Sequence, residues 1–182
     1  MNRKWSILVF VTLIAGLSLA QSARRNLPTA LYERKGSEIV EAPAEDLALA
    51  QTYHSFKNKG RVKNGQRITI LTKSPRYLVG ETVRVLHVLE AVKPGIEVYV
   101  MGPKPIFDEF VDGKLASPKS GGPAVYDGAV MKGPWADFHY DISTYTFTQS
   151  GKHTIQWKGG GHPIQGDLGL TSNVIHITVV EK

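Results

Sequence analysis

Thr82-Val83-Arg84-Val85-Leu86-His87-Val88-Leu89 decides the fold class of this chain. Val83, Val85, His87 and Leu89 alternate with Thr82, Arg84, Leu86 and Val88. Successive side chains of an extended strand leave on opposite faces, so a two-residue period offers one apolar face to a core. The same period recurs on both sides of this run. Ile68 and Ile70 alternate with Arg67, Thr69 and Leu71; Ile96, Val98 and Val100 with Glu97, Tyr99 and Met101. Phe138, Tyr140 and Ile142 alternate with Asp137, His139 and Asp141; Ile155 and Trp157 with Thr154 and Gln156; Ile175, Ile177 and Val179 with Val174, His176 and Thr178. Ser74-Pro75, Gly80-Glu81, Pro94-Gly95 and Ser150-Gly151 punctuate the runs, and Asp112-Gly113 and Asp127-Gly128 are pairs suited to two-residue hairpin turns. Six clear strands and one or two weaker hairpin strands predict a single all-β domain, a sandwich of about seven to nine strands over residues 65–182.

Upstream of Gln66 the pattern changes. Pro43-Ala44-Glu45-Asp46-Leu47-Ala48-Leu49-Ala50 places proline at a helix start and acids at its positive end, and Leu49, Tyr53 and Phe56 share a helical face. A short amphipathic helix is expected here, the only one of the mature chain, with Gly60 able to stop it. Residues 21–42 carry no sustained period and read as a polar arm, so 21–64 forms an N-terminal arm with one helix. Arg3 and Lys4, then the apolar run Trp5 to Leu19, then Ser18 and Ala20 two residues apart, have the form of a secretory signal peptide over residues 1–20, cut after Ala20. The apolar run is short for a membrane span.

The composition narrows the class further. The chain has no cysteine, which removes disulfide staples and lipid attachment; about 160 residues can bury a core without them. The formal charge of +6 falls to +4 when Arg3 and Lys4 leave with the signal, mildly basic and without the concentrated basic face of a nucleic-acid binder. Export to the periplasm, the cell surface or the medium is the expected localisation.

Two connections are long. Residues 102–135 hold Pro103, Pro105, Pro118, Pro123 and Pro134 among several glycines, and residues 158–172 contain Gly159-Gly160-Gly161-His162-Pro163. Proline interrupts a central ladder, and long loops on an economical scaffold are where binding concentrates. Lys104, Trp135, His162, Gln165 and Asp167 are the binding-loop candidates. The glycine run does not open a helix, so it is no phosphate cradle. No catalytic motif is present. Asp137, His139 and Asp141 share one strand face and are expected to point outward while Phe138 and Tyr140 face the core; a solvated face is the reading adopted, with a metal site from these three as the alternative. His87 and His153 fall in register with apolar neighbours and are expected to point inward, near one another. Lys57, Lys59, Arg61, Lys63 and Arg67 form a basic run read as a solvated face or an anionic-polymer contact. Trp157 is read as core.

Pro75-Arg76-Tyr77-Leu78-Val79-Gly80-Glu81-Thr82-Val83-Arg84-Val85 resembles the opening strand pair of bacterial secreted Ig-like modules of the macroglobulin and related types, with Val79 in place of the usual proline. Tyr145 to Trp157 looks like the penultimate-strand corner of the same superfamily, with His153 where many members carry a tyrosine, and Ser172 to Val180 looks like its closing strand. The resemblance implies an Ig-like fold and leaves activity open.

These readings converge on a non-enzymatic exported binding or accessory module, without cofactor, engaging a protein or an envelope glycan through its long loops. A secreted protease inhibitor and a metal-binding protein or metalloenzyme are the alternatives. Neither nucleic acid nor a membrane span in the mature chain is expected.

Overall fold

A computed structural model describes residues 28–100, 104–117, 129–159 and 168–182. The expected signal segment 1–20 lies outside these residues, as do the Asp127-Gly128 pair and three binding-loop candidates, His162, Gln165 and Asp167. The strands in chain order are β1 (Tyr32–Lys35), β2 (Glu38–Glu41), β3 (Gln66–Leu71), β4 (Arg76–Leu78), β5 (Thr82–Ala91), β6 (Glu97–Val100), β7 (Glu109–Val111), β8 (Lys114–Leu115), β9 (Ala129–Lys132), β10 (Trp135–Phe138), β11 (Ser143–Thr146), β12 (Gly151–Gly159) and β13 (Leu170–Val180). Among the described residues one helix, α1 (Ala44–Gln51), joins β2 to the loop before β3.

Two sheets make the sandwich. β5 carries the four-stranded one, pairing with β3, β10 and β11; the five-stranded one runs β4-β13-β12-β7-β8. Between them lie Ile68 and Ile70 from β3, Val83, Val85 and Leu89 from β5, Ile155 and Trp157 from β12, and Ile175, Ile177 and Val179 from β13. The architecture is the β-sandwich expected from the alternation. Trp157 is in this core, 2% exposed. The Asp112-Gly113 pair makes the two-residue turn of the β7–β8 hairpin, both residues at positive φ (50° and 74°).

The arm is more ordered than its sequence suggests. β1 and β2 form a hairpin across Gly36-Ser37, and α1 with the turns after it carries Ala50 and Tyr53 onto the sandwich. With Leu31 they meet Leu71, Leu86, Val88 and Phe138, and Leu49 and Phe56 pack at the edge of this second cluster. That explains why β3 and β5 are apolar on both sides: the outer face of the sheet is covered by the arm. Arg84 on β5 ties the layer down at its rim, reaching Glu33 at 2.5 Å and Asp46 at 2.6 Å.

Gly60 does not stop the helix, which ends at Gln51 with Thr52 as its C-cap. The glycine is needed for a close crossing. A Cβ at Gly60 would lie 1.9 Å from the Ile68 carbonyl oxygen and 3.0 Å from that of Thr171, so any side chain there would force the chain away from β3.

The expected facing of β10 is reversed. Asp137 pairs opposite Leu89 and Phe138 opposite Val88, and directly paired residues share a sheet face. Leu89 points into the sandwich and Val88 toward the arm. Asp137 therefore lies inside, 6% exposed, with His139 at 4%, and Phe138 packs under the arm. Register with β5, not local hydrophobicity, sets the side on which these residues fall.

Candidate functional site

Inside the sandwich, at the level of Trp157, is a layer of polar side chains. Glu109 enters from β7, opposite Trp157 on β12. Its Oε1 is 2.9 Å from His87 Nε2, and its Oε2 accepts the Tyr145 hydroxyl at 2.5 Å. The side chains of His87 and Glu109 are both 0% exposed. Burial works to raise the Glu109 pKa, but the pairing with His87 and the hydrogen bonds from Ser143 and Tyr145 outweigh it and hold the carboxyl below the usual glutamate range. Burial, and then the Glu109 charge, push the Tyr145 hydroxyl well above its ordinary value. His87 and His139 both meet Trp157 edge-on, with ring centroids 5.1 and 5.3 Å away. The Trp157 indole N–H donates to the Phe107 carbonyl at 2.9 Å.

A second buried pair lies on the same side of the sheet. The Lys104 ammonium donates to the Asp137 carboxylate and, at 2.6 Å, to the Tyr99 carbonyl oxygen. Desolvation lowers the Lys104 pKa, with the Asp137 charge opposing it. Lys104 and Glu109 are thus two oppositely charged anchors of one segment, each bonded to a group on the four-stranded sheet. The Asp108 carbonyl accepts the Lys158 N–H at 3.0 Å, so the flanks of the two long connections are joined to each other. His87 and Glu109 have the chemistry of an acid–base couple, but no substrate atom can reach side chains that are fully enclosed. Their role is to hold the segment.

The accessible feature lies beyond Asp137. A cleft of about 590 Å³ runs beside β10, lined by residues 28–32, Val100, Ala129, Met131, Trp135, Ala136, Asp137, Phe138 and Tyr140. The β1 strand forms one wall: Arg34 N–H donates to the Tyr140 carbonyl at 2.8 Å, and its guanidinium holds Asp141 at 2.6 Å. Tyr32 and Tyr140 meet edge-to-face across 6.1 Å at 64°, and Tyr32 remains 42% exposed. Gly133 places Trp135 beside them. A Cβ there would lie 2.4 Å from the Lys93 carbonyl oxygen, so only glycine lets the chain approach β5 closely enough to begin β10. Among the described residues, Asp137 is the one Asp, Glu, Lys, Arg or His on the lining.

Of the sequence-predicted site residues, the structure brings Trp135 and Asp137 together at this cleft. Lys104, expected on an exposed loop, is buried behind it. Asp137, His139 and Asp141 do not converge: Asp137 bonds Lys104, His139 packs on Trp157, and Asp141 pairs with Arg34. Among the described residues no group of three metal-ligating side chains forms. His87 points inward as expected, but His153 does not join it. His153 stacks on Phe147 at 4.1 Å and its Nδ1 is 2.8 Å from Asp112 in the β7–β8 turn. The basic run is divided. Arg67 is held by Glu90 at 2.6 Å, the Lys59 ammonium sits 3.9 Å from the centre of the Tyr53 ring, and Lys63 donates to the Gly169 carbonyl, while Lys57 and Arg61 are exposed. Tyr32 and Tyr140 carry no local signal of a site: alternation puts Tyr140 in the core, and Tyr32 belongs to an arm without period.

No protein-family model matches the chain, and no curated protein matches it. Among solved structures it is similar to the solution NMR structure of the CARDB domain of a Pyrococcus furiosus protein, at 13% identity and a TM-score of 0.40, covering 64% of this chain and 94% of that one. A likeness at this level carries no argument about ligand or partner.

Proposed function

We propose that the protein is a non-enzymatic, exported binding module whose ligand seats in the cleft beside β10. The observation that supports this reading is the cleft itself: about 590 Å³, walled by Tyr32, Trp135 and Tyr140, with a single carboxylate among its described lining residues. Size, concavity, aromatic walls and few polar groups are the ordinary attributes of a ligand site. Ala129 and Met131, from β9 within the 102–135 stretch, and Val100 just before it are also on its lining, in keeping with recognition by the long connections. The only buried acid–base couple among the described residues at the level of Trp157 is sealed, which favours binding over catalysis. Export rests on the charged, apolar and small-residue pattern of residues 1–20, and N-terminal sequencing of the secreted protein beginning at Gln21 is its check.

The test of the site is saturable retention of the purified protein on envelope material from the producing cell. Tyr32→Ala combined with Trp135→Ala is expected to abolish retention. Saturable retention that survives both substitutions would move the site elsewhere, and retention that never saturates would remove the binding function.

A further inference from the structure

We infer that the cleft takes an uncharged sugar, a short neutral oligosaccharide or the end of one. The inference rests on the cleft being the binding site and names the chemistry of its occupant.

Charge comes first. Among the described residues, Asp137 is the one Asp, Glu, Lys, Arg or His on the lining, and its carboxylate is already bonded by the buried Lys104 ammonium. At the neighbouring rim Asp141 is paired in the same way with Arg34. An anionic ligand would find no cation among the described lining residues to receive it. A cationic ligand would compete with an ammonium already in contact. What a paired carboxylate still does well is accept hydroxyl hydrogens, because each oxygen has more than one lone pair and bonds to a charged acceptor are the stronger kind.

The walls supply the second half of the match. A pyranose ring is amphipathic: hydroxyls radiate from its edge, and C–H bonds carrying partial positive charge cover much of its faces. The face of an aromatic ring is electron-rich and apolar, so C–H faces lie well on it while the edge hydroxyls reach polar groups. Tyr32 and Tyr140, inclined at 64° to one another, and Trp135 on β10 provide such surfaces around the Asp137 carboxylate. The volume is within the range of small-ligand sites and leaves room for more than a single ring. A peptide of ordinary composition would bring charges that this lining does not answer.

The experiment is isothermal titration of the purified protein with cellobiose, chitobiose and maltotriose as neutral probes, digalacturonate as an acidic probe, and an uncharged extended hexapeptide. Binding of at least one neutral sugar is expected, weakened about tenfold or more by Tyr32→Ala and little changed by raising the salt concentration. Tyr32 is on the exposed hairpin, so that variant keeps its fold. The uncharged peptide should stay unbound. Binding confined to digalacturonate and lost in salt would overturn the neutral-sugar assignment, as would binding of the peptide alone. Sugar binding indifferent to Tyr32→Ala and Trp135→Ala would also overturn it. If no probe binds while envelope retention still depends on Tyr32 and Trp135, the sugar inference fails and the cleft reading stands.

Discussion

The four-stranded sheet is buried on both faces, and the two interfaces are built differently. Its inner face meets the second sheet, and among the aliphatic side chains there it holds His87, Glu109 and the Lys104–Asp137 pair, removed from water. Its outer face meets the arm. Leu31, Ala50, Tyr53, Leu71, Leu86, Val88 and Phe138 fill that interface, and its ion pairs through Arg84 and Arg67 stay near the rim. The inner charges have no water to fall back on, so losing one partner strands the other; on the outer side Arg84 and Arg67 keep contact with water, while the Glu33 and Asp46 carboxylates under Arg84 are buried. One interface should therefore fail as a whole, the other by local release of the arm.

The largest effect should come from the inner layer. Glu109→Ala leaves His87 and the Tyr145 hydroxyl without their shared acceptor and should cost about 3–5 kcal/mol in urea unfolding, with Glu109→Gln the milder variant if the alanine form does not accumulate. An alanine variant of unchanged midpoint would erase the distinction between the interfaces. Acid should act on the same group. Glu109 titrates below the usual glutamate range when folded, so its contribution is present above the unfolded value and is lost as pH falls through the depressed one. The wild-type midpoint should drop below about pH 4.5, and Glu109→Gln should drop less over that interval.

Next is the arm. Leu31 is buried in the outer cluster, and Leu31→Ala should cost about 2 kcal/mol, first seen as proteolysis near β1 and β2 while sheet circular dichroism persists. Simultaneous loss of sheet signal would show that the two interfaces unfold together. Arg84→Met keeps the aliphatic stem and removes the guanidinium, its side chain 24% exposed, that the buried Glu33 and Asp46 carboxylates share. About 1–2 kcal/mol is expected, and a loss as large as that of Glu109→Ala would show that the rim is as dry as the interior. Last comes the Lys73–Glu45 pair, 2.7 Å apart with both side chains about half exposed or more. Glu45→Gln should leave the thermal midpoint where it is.

The strand periods were legible because each is a local property, and Trp157 was legible as core because it shares parity with Ile155. Asp112-Gly113 announced its turn because few residue pairs accept that backbone. The arm hairpin was not legible: Tyr32 to Lys35 and Glu38 to Glu41 have no apolar alternation, only Gly36-Ser37 between them, and their partner surface is on β3, β5 and β10. Half of the candidate site was visible. Trp135 stood out as an aromatic after Gly133-Pro134, whereas Lys104 looked exposed because nothing near it in the chain shows that Asp137 waits behind it.

Composition and period alone determined that this chain is an all-β, cysteine-free sandwich with one helix ahead of it, because alternation and turn chemistry act over a few residues. Which face of β10 enters the core was decided only by its register with β5, since Asp137 must lie on the side where Leu89 lies. That register buries a carboxylate, brings a lysine from a distant loop to neutralise it, and leaves a cleft lined by Tyr32, Trp135, Phe138 and Tyr140 beside it. None of those meetings is written in neighbouring residues; each depends on which strands pair and where the arm comes to rest.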